Sequence, residues 1–511
     1  MFDFPKVGVA DHGHCKVGQT GDVNPLNLTD SLLFRTQAFV NGVFLDGVDN
    51  RTFVVDNPAT GATLARVAVC DAEMTRAAIN AAAAAFPAWA KRPAKERSAI
   101  LRKWAELMVA NADDLAAIMS AEHGKPLAEA KGEITYGASF LEWFAEEARR
   151  VDGSVITTPL VDRRLVVLRQ PIGVTAGITP WNFPCAMITR KCAPALAVGC
   201  TIVIKPAEQT PLSALALAEL AVRAGVPAGV FNIVTCDGDD APIIGAELTS
   251  NPIVKKLSFT GSTEIGKVLT RQCADTMKKV SMELGGNAPF IVFDDADVEA
   301  AVAGALVAKY RNTGQACTAA NRFYIQAGIK NAFAKRYAEE VAKYKVGEGT
   351  GDAVTIGPLI DDAAIQKVRA HVKDALDRGA SVLVGGHDHE LGGRFFQPTL
   401  LDGVPTDALM CQEETFGPVA GITTFTDEDD VIRLANDTPY GLTAYFYTRD
   451  HARVWRVAEA LESGMVAVNT GLLSATEAPF GGVKESGLGR EGSSWGIDDW
   501  TELKYIAMAG L

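Results

Sequence analysis

No apolar run in this 511-residue chain reaches the 18 or so residues that a membrane-spanning helix needs; the longest, Ala81–Ala90 and Ala193–Ile204, are interrupted by Pro87, Pro194 and Gly199. Basic charge is also scarce. Lys plus Arg number 49 against 62 Asp plus Glu, a net charge of −13, which disfavours nucleic acid or an anionic membrane surface as partner. Cysteines number nine, an odd count, at 15, 70, 185, 192, 200, 236, 273, 317 and 411, with no C-x-x-C pair. They read as reduced thiols in a reducing compartment. The start, Met1-Phe-Asp-Phe-Pro-Lys6, lacks a basic segment followed by an apolar one, so no secretory signal is expected and the cytoplasm is the expected location. There is no repeat of fixed period, and no low-complexity tract beyond Ala81–Ala85.

What is present is an ordinary globular composition, 48% hydrophobic and 22% charged, which excludes disordered and collagen-like chains. At roughly 150 residues per domain, the length predicts about three units. Residues 1–33 are polar with little periodicity and read as a solvated arm, although His12, His14 and Cys15 imitate metal ligands. Alternating runs at Ala38–Phe44 and Thr52–Asp56 predict strands, and Ala72–Trp89, Ala94–His123 and Leu127–Val151 carry apolar residues at helical spacing. Two β-type runs, Val155–Thr158 and Arg164–Leu168, then interrupt the helical section as a hairpin without a core of its own. Such an edge invites pairing with another subunit.

From Gly173 strands and helices alternate: strands at Gly173–Ile178, Thr201–Ile204, Val230–Val234 and Lys256–Phe259, helices near Ala186–Ala197, Pro211–Ala224 and Thr263–Cys273. A second series after Glu283 has strands near Pro289–Phe293, Phe323–Ile325, Ser381–Leu383, Val419–Thr424, Ala444–Tyr447 and Met465–Asn469. The alternation predicts an α/β protein of two doubly wound domains with a cleft between them.

Two glycine patterns imitate nucleotide loops. Gly487-Leu-Gly489-Arg-Glu-Gly492 fits G-x-G-x-x-G but follows no clear strand and leaves only 19 residues for a βαβ unit, so it is set aside. Gly261-Ser-Thr-Glu-Ile-Gly266-Lys267 lies between a strand and a helix, yet Val268 stands where magnesium–nucleotide chemistry needs a hydroxyl. Nucleotide hydrolysis is not expected. The segment is instead either an anion site at a helix start or plain capping by Ser262. Lys205-Pro-Ala-Glu208 ends a neighbouring strand, where ligands of open α/β sheets bind; its cation and carboxylate suit ribose hydroxyls, and Glu208 would repel a 2′-phosphate.

Cys317 sits in a small, polar loop, Asn312-Thr-Gly-Gln-Ala-Cys317-Thr-Ala-Ala-Asn321, unlike the packing environments of most intracellular thiols. The seven histidines, at 12, 14, 123, 371, 387, 389 and 451, include none in a comparable loop, so a Cys–His protease is weakly supported. Glu283 ends an apolar strand before two glycines, where a carboxylate of raised pKa could act as general base or simply be solvated. Thr179-Pro-Trp-Asn-Phe-Pro184 locks a loop between two prolines and offers the Asn182 amide to a developing oxyanion, or is a simple turn.

Taken together, Pro180-Trp-Asn-Phe-Pro184, Lys205-Pro-Ala-Glu208, Phe259-Thr-Gly-Ser262, Glu283-Leu-Gly-Gly286, Gly314-Gln-Ala-Cys317, Glu414-Thr-Phe-Gly-Pro418 and Pro479-Phe-Gly-Gly482 resemble, in order, the motifs of the NAD(P)-dependent aldehyde dehydrogenase superfamily over roughly residues 34–511. The resemblance implies a Rossmann-like cofactor domain (34–150 and 171–283), a catalytic domain (284–485) and a small β oligomerisation region (151–170 and 486–511) that makes a dimer or homotetramer. It implies Cys317 as nucleophile, Glu283 as general base, Asn182 with the Cys317 backbone N–H as oxyanion hole, and Lys191 in the catalytic set. Thr179, Pro180, Trp181, Lys205, Glu208, Gly261, Ser262, Glu414 and Phe416 would bind the cofactor, NAD being preferred through Glu208 and NADP possible. No metal is implied.

Met187-Ile-Thr-Arg190-Lys191, Tyr310-Arg311-Asn312-Thr313-Gly314 and Thr470-Gly-Leu-Leu-Ser474 are similar to the branch of that family acting on succinate semialdehyde. Arg190 and Arg311, with Ser474 and Phe183, would then bind an acid-aldehyde, each guanidinium worth roughly 1.5–3 kcal/mol toward a carboxylate. Ala319 stands where relatives can carry a second cysteine, so a redox lock at the nucleophile is not expected. Glutarate semialdehyde remains an alternative substrate, since one methylene is worth about 1–3 kcal/mol. A non-catalytic binding or structural protein is the third reading.

Overall fold

The computed structural model describes residues 26–510; His12, His14 and Cys15 lie outside them. Of the expected solvated arm, residues 26–33 are docked instead. The backbone N–H groups of Thr29 and Asp30 donate to the Asp114 carboxylate at 2.9 and 2.7 Å, and Leu33 is fully buried. Two apolar side chains in that stretch, Leu26 and Leu28, pack against the core and offset the entropy of ordering it.

An eight-stranded sheet has five parallel strands at its centre, in the order Lys279–Glu283, Val254–Thr260, Val174–Ile178, Thr201–Lys205 and Phe231–Ile233. The chain runs from Val174–Ile178 outward through two strands, then returns to the other side of the same strand. This reversal leaves a crevice at the carboxyl ends of Val174–Ile178 and its neighbours, where open α/β sheets bind ligands. Alternate residues of one strand feed opposite layers: Ile202 and Ile204 join the core under helices Ala94–Ala110 and Pro211–Ala224, whereas Val203 packs with Leu257 and Phe259 on the other face.

The second sheet has six parallel strands and one antiparallel edge; Phe290 and Val292 enter one core, Ile291 and Phe293 the other. Both sheets are therefore covered on two faces, as the apolar strands predict. The expected hairpin forms as Ser154–Ile156 and Arg163–Pro171, and Thr501–Ala509 completes a separate three-stranded antiparallel sheet. Within 486–511, Gly487–Leu488 lies elsewhere, pairing with Lys279–Glu283 at the edge of the first sheet.

Local departures from expectation have local causes. Ala38–Phe44 is not one strand but a hairpin of Ala38–Val40 and Val43–Leu45, because Asn41 (φ 53°) and Gly42 (φ 81°) form a left-handed turn. Ala94–His123 divides into Ala94–Ala110 and Ala112–His123, since the Asn111 side chain donates to the Leu107 carbonyl at 2.8 Å and ends the first helix. The run Gly487–Gly492, set aside for following no strand, contains one itself.

Candidate active site

The loop after Ile178 is held from beneath by a buried ion pair. Lys125 Nζ donates to the Asn182 carbonyl at 2.8 Å and contacts Glu133 Oε2 at 2.5 Å, while Glu133 Oε1 accepts from the N–H groups of Cys185 and Ala186 at 2.9 and 3.2 Å. Glu133 thereby satisfies orphan donors at the start of helix Ala186–Val198. Asn182 Nδ2 donates to the Gln315 carbonyl at 3.1 Å, and Asn312 Nδ2 returns a bond to the Asn182 carbonyl at 3.0 Å. The Asn182 loop and the Cys317 loop are thus one hydrogen-bonded unit.

Three consecutive left-handed residues, Asn312 (φ 55°), Thr313 (φ 58°) and Gly314 (φ 73°), bring the chain to Cys317. A Cβ at Gly314 would lie 2.2 Å from the Gly417 carbonyl, so glycine is required there. Non-glycine residues in this conformation are costly and persist where neighbours over-determine them. Here Glu129 Oε2 accepts from the Asn312 N–H at 2.8 Å. The result places Cys317 ahead of strand Ala320–Gln326, at the amino end of the second sheet, facing the carboxyl ends of the first.

Between them lies a cavity of about 360 Å³. Cys317, Glu283, Asn182, Pro180, Trp181, Phe183, Arg190, Arg311, Gly261, Ser262, Glu414, Phe416 and Ser474 all line it. Lys191, Thr179, Lys205 and Glu208 do not. Lys191 is completely buried behind the wall, with Nζ 2.7 Å from Thr260 Oγ1 and 2.6 Å from Glu491 Oε1. Lys205 Nζ donates to the Pro206 carbonyl at 3.1 Å and lies 3.5 Å from Glu208, farther along the crevice.

Burial raises the Glu283 carboxyl to about pKa 7, with the charge of Glu491 adding to the rise and Arg190 opposing it. Among the described residues neither buried Glu283 oxygen has a partner of good hydrogen-bond geometry, although the Cys317 thiol lies close enough to oppose the rise. Burial also pushes the Cys317 thiol well above its usual range, reinforced by Glu283 and Glu414. A neutral thiol beside a carboxylate of pKa about 7 is a pair between which a proton can pass near neutrality. Glu414, likewise raised to about 7 by burial, accepts from the Gly286 N–H at 3.3 Å.

The two arginines differ. Arg190 is 2% exposed, 3.7 Å from Glu491, hydrogen-bonded to the Tyr136 hydroxyl and 4.1 Å from the Phe480 ring centre. Arg311 stacks over Phe183 at 5.5 Å and, among the described residues, has no carboxylate within 4.0 Å. One cavity cation is therefore in contact with a carboxylate, while the other feels Glu129 only at Coulombic range and is open to a ligand.

The carboxyl ends of three adjacent strands suit a dinucleotide. The 12-residue helix Thr263–Ala274 presents its N-terminus, although Ser262 Oγ also caps it by accepting from the Ile265 N–H at 3.4 Å. A Cβ at Gly261 would strike the Phe259 ring at 2.4 Å, so glycine is required for this loop to pack as it does. Glu208, with a side chain 34% exposed, keeps acceptor capacity for ribose hydroxyls, and Thr179 Oγ1 is a buried hydroxyl without a partner. These donors and acceptors fit a nicotinamide dinucleotide.

Sequence reasoning missed Lys125, Glu133, Tyr136 and Glu491. Apolar spacing along a helix passes over inward polar groups such as Glu133 and Tyr136, and Lys125 falls in the connection between helices Ala112–His123 and Leu127–Glu147. Glu491 stood within the discounted glycine run.

The profile of the aldehyde dehydrogenase family matches residues 44–506. The chain is 60% identical to the succinate-semialdehyde dehydrogenase [NADP(+)] of Escherichia coli (strain K12), covering 94% of this chain and 100% of that protein. It is 58% identical to the glutarate-semialdehyde dehydrogenase of Pseudomonas aeruginosa, over 95% and 100%. The crystal structure of succinate-semialdehyde dehydrogenase from Burkholderia pseudomallei superimposes with a TM-score of 0.93 at 57% identity, covering 95% of this chain and 100% of that one.

Proposed function

The chain belongs to the aldehyde dehydrogenase family, and within it we propose that it oxidises succinate semialdehyde to succinate with NAD. The observation that carries this is a cavity holding Cys317, Glu283 and Asn182 together with two guanidinium groups, one of which has no carboxylate within 4.0 Å among the described residues. A thiol and a base serve any aldehyde; Arg311 and Arg190 suit one with a carboxylate at its far end.

In this reading Glu283 takes the Cys317 proton, and the thiolate adds to the aldehyde carbon to give a thiohemiacetal. Asn182 Nδ2 and the Cys317 backbone N–H hold its oxyanion. When bound, the nicotinamide supplies a hydride acceptor. Loss of hydride from the thiohemiacetal carbon leaves a Cys317 thioester; Glu283, having passed the thiol proton to solvent, then removes a proton from water, which attacks the thioester so that the Cys317 thiolate leaves and the acid is released. Lys191, bound to Glu491, acts through that buried carboxylate rather than by touching substrate. Thr179, Pro180, Trp181, Gly261, Ser262, Glu414 and Phe416 would hold the cofactor, with Lys205 and Glu208 on its adenosine ribose. Glu208 favours NAD because a 2′-phosphate meets like charge, although the E. coli relative is named for NADP(+).

The P. aeruginosa relative keeps glutarate semialdehyde as the second reading. Cofactor reduction by wild-type enzyme, measured with succinate semialdehyde, glutarate semialdehyde and butanal, decides: kcat/KM highest for the first supports the proposal, and no preference for either acid overturns it. The three-stranded sheet exposes Val155, Ile156, Leu503 and Tyr505 at 74, 48, 66 and 60%, which supports an oligomerisation region spanning 151–170 and the end of the chain, and hence a dimer or tetramer. A monomer by light scattering at micromolar concentration would contradict that. The eight described cysteines are unpaired thiols, in keeping with a cytoplasmic setting.

A further inference from the structure

We propose that Tyr136 is a third ligand of the substrate carboxylate, donating its phenolic O–H to the anion that Arg190 and Arg311 attract; this rests on the acid-aldehyde reading. Tyr136 projects from helix Leu127–Glu147 into the wall of the same cavity as both arginines and Cys317. Arg190 Nη2 donates to the Tyr136 hydroxyl. A guanidinium has no acceptor, so in this bond the phenol oxygen accepts and its own proton remains uncommitted. No described group takes that proton.

The hydroxyl is held where it is. The Tyr136 ring meets Phe140 edge-on at 4.9 Å, and Arg190 lies 5.6 Å from the Tyr136 ring centre. Arg190 itself is confined by Phe480 on one face and by Glu491 at 3.7 Å from Nη1. With Nη1 turned toward Glu491, the Nε–Nη2 edge is the part of Arg190 left for an anion: Nε has no partner among the described residues and Nη2 donates only to Tyr136, so an anion there lies against the Tyr136 hydroxyl. Two donors converge on one position, one charged and one neutral. The neutral donor compensates for the charge that Glu491 withdraws from Arg190, and a carboxylate accepting from both makes stronger bonds than a carbonyl or a methyl group could.

The test is Tyr136→Phe, which keeps the ring and its packing, compared with wild type on succinate semialdehyde and on butanal, with succinate as product inhibitor. The expected result is a KM for succinate semialdehyde and an inhibition constant for succinate both raised about tenfold or more, with kcat at saturation and all butanal kinetics nearly unchanged. Equal losses for both aldehydes would make Tyr136 a structural residue and overturn the proposal. Unchanged KM in a variant whose parent prefers the acid would overturn it while leaving the proposed function intact. A wild type without acid preference would remove both.

Discussion

The crevice has two ends built on opposite principles. At the reacting end, loops from the carboxyl edge of one sheet and the amino edge of the other enclose Cys317, Glu283 and Glu414, and burial shifts every one of these groups toward its neutral form. At the other end, proposed for the ribose, Lys205 and Glu208 come from a single strand end, and the Glu208 side chain is one-third exposed. Enclosure by two sheets raises the Glu283 carboxyl into the neutral range, whereas Lys205, buried, and Glu208, partly exposed, form a one-sided pair suited to recognition. In the proposed function the same residue type, glutamate, would serve as base at one end and as hydroxyl acceptor at the other.

The largest expected contrast comes from removing the thiol. Cys317→Ala should lower aldehyde oxidation by roughly 10⁴-fold or more while NAD binding, followed by fluorescence titration, persists. Measurable turnover would break the division between a reacting and a holding end. Glu283→Gln should both weaken the single-turnover acylation burst and fail to deacylate, because an amide takes no proton from the Cys317 thiol or from water.

The pH dependence sharpens the same point. With its pKa raised to about 7, Glu283 is protonated below that pH and inactive as a base, so wild-type kcat should rise as pH increases through about 7. A rate independent of pH between 5.5 and 8.5, about 1.5 units either side, would mean that Glu283 is not the group limiting turnover.

A smaller effect separates the two arginines. Arg311→Ala should lose roughly 1.5–3 kcal/mol in kcat/KM for succinate semialdehyde and little for butanal. Arg190→Ala should harm both aldehydes, because it leaves Glu491 buried with Lys191 as its remaining ion-pair partner and removes a charge that restrains the Glu283 shift. Equal, acid-specific losses for the two variants would show that Glu491 does not occupy Arg190. The smallest change is expected at the open end, where Glu208→Ser should move the NAD/NADP ratio of kcat/KM toward NADP by about tenfold or less, since solvent screens the charge removed. An unchanged ratio would place the cofactor choice elsewhere.

Much of this was legible in the residues. The alternation of apolar strands with amphipathic helices predicted both covered sheets, and the polar Cys317 loop and the strand-ending Glu283 marked the two groups that meet. Less legible were the groups behind them. Glu133 and Glu491 lie on elements whose apolar spacing or glycines dominated the pattern, and their partners, Lys125 and Lys191, are 8 and 300 residues away in sequence. Residues 26–33 looked solvated for a related reason: their partner Asp114 is more than 80 residues distant.

The sequence by itself determined what acts through local rules. Strand and helix periods, the turn at Asn41-Gly42 and the chemical identity of each reacting group depend on neighbours in the chain, whereas the Gly314 turn also needs the distant Gly417 carbonyl and Glu129. Only the tertiary structure decided which charges share a dry space. That Arg190 is shared with Glu491 while Arg311 stands open, that Glu283 titrates near 7, and that the Tyr136 proton is uncommitted all depend on burial and on contacts between distant segments. Coulomb and desolvation energies follow distance and dielectric environment, and neither is encoded by position along the chain.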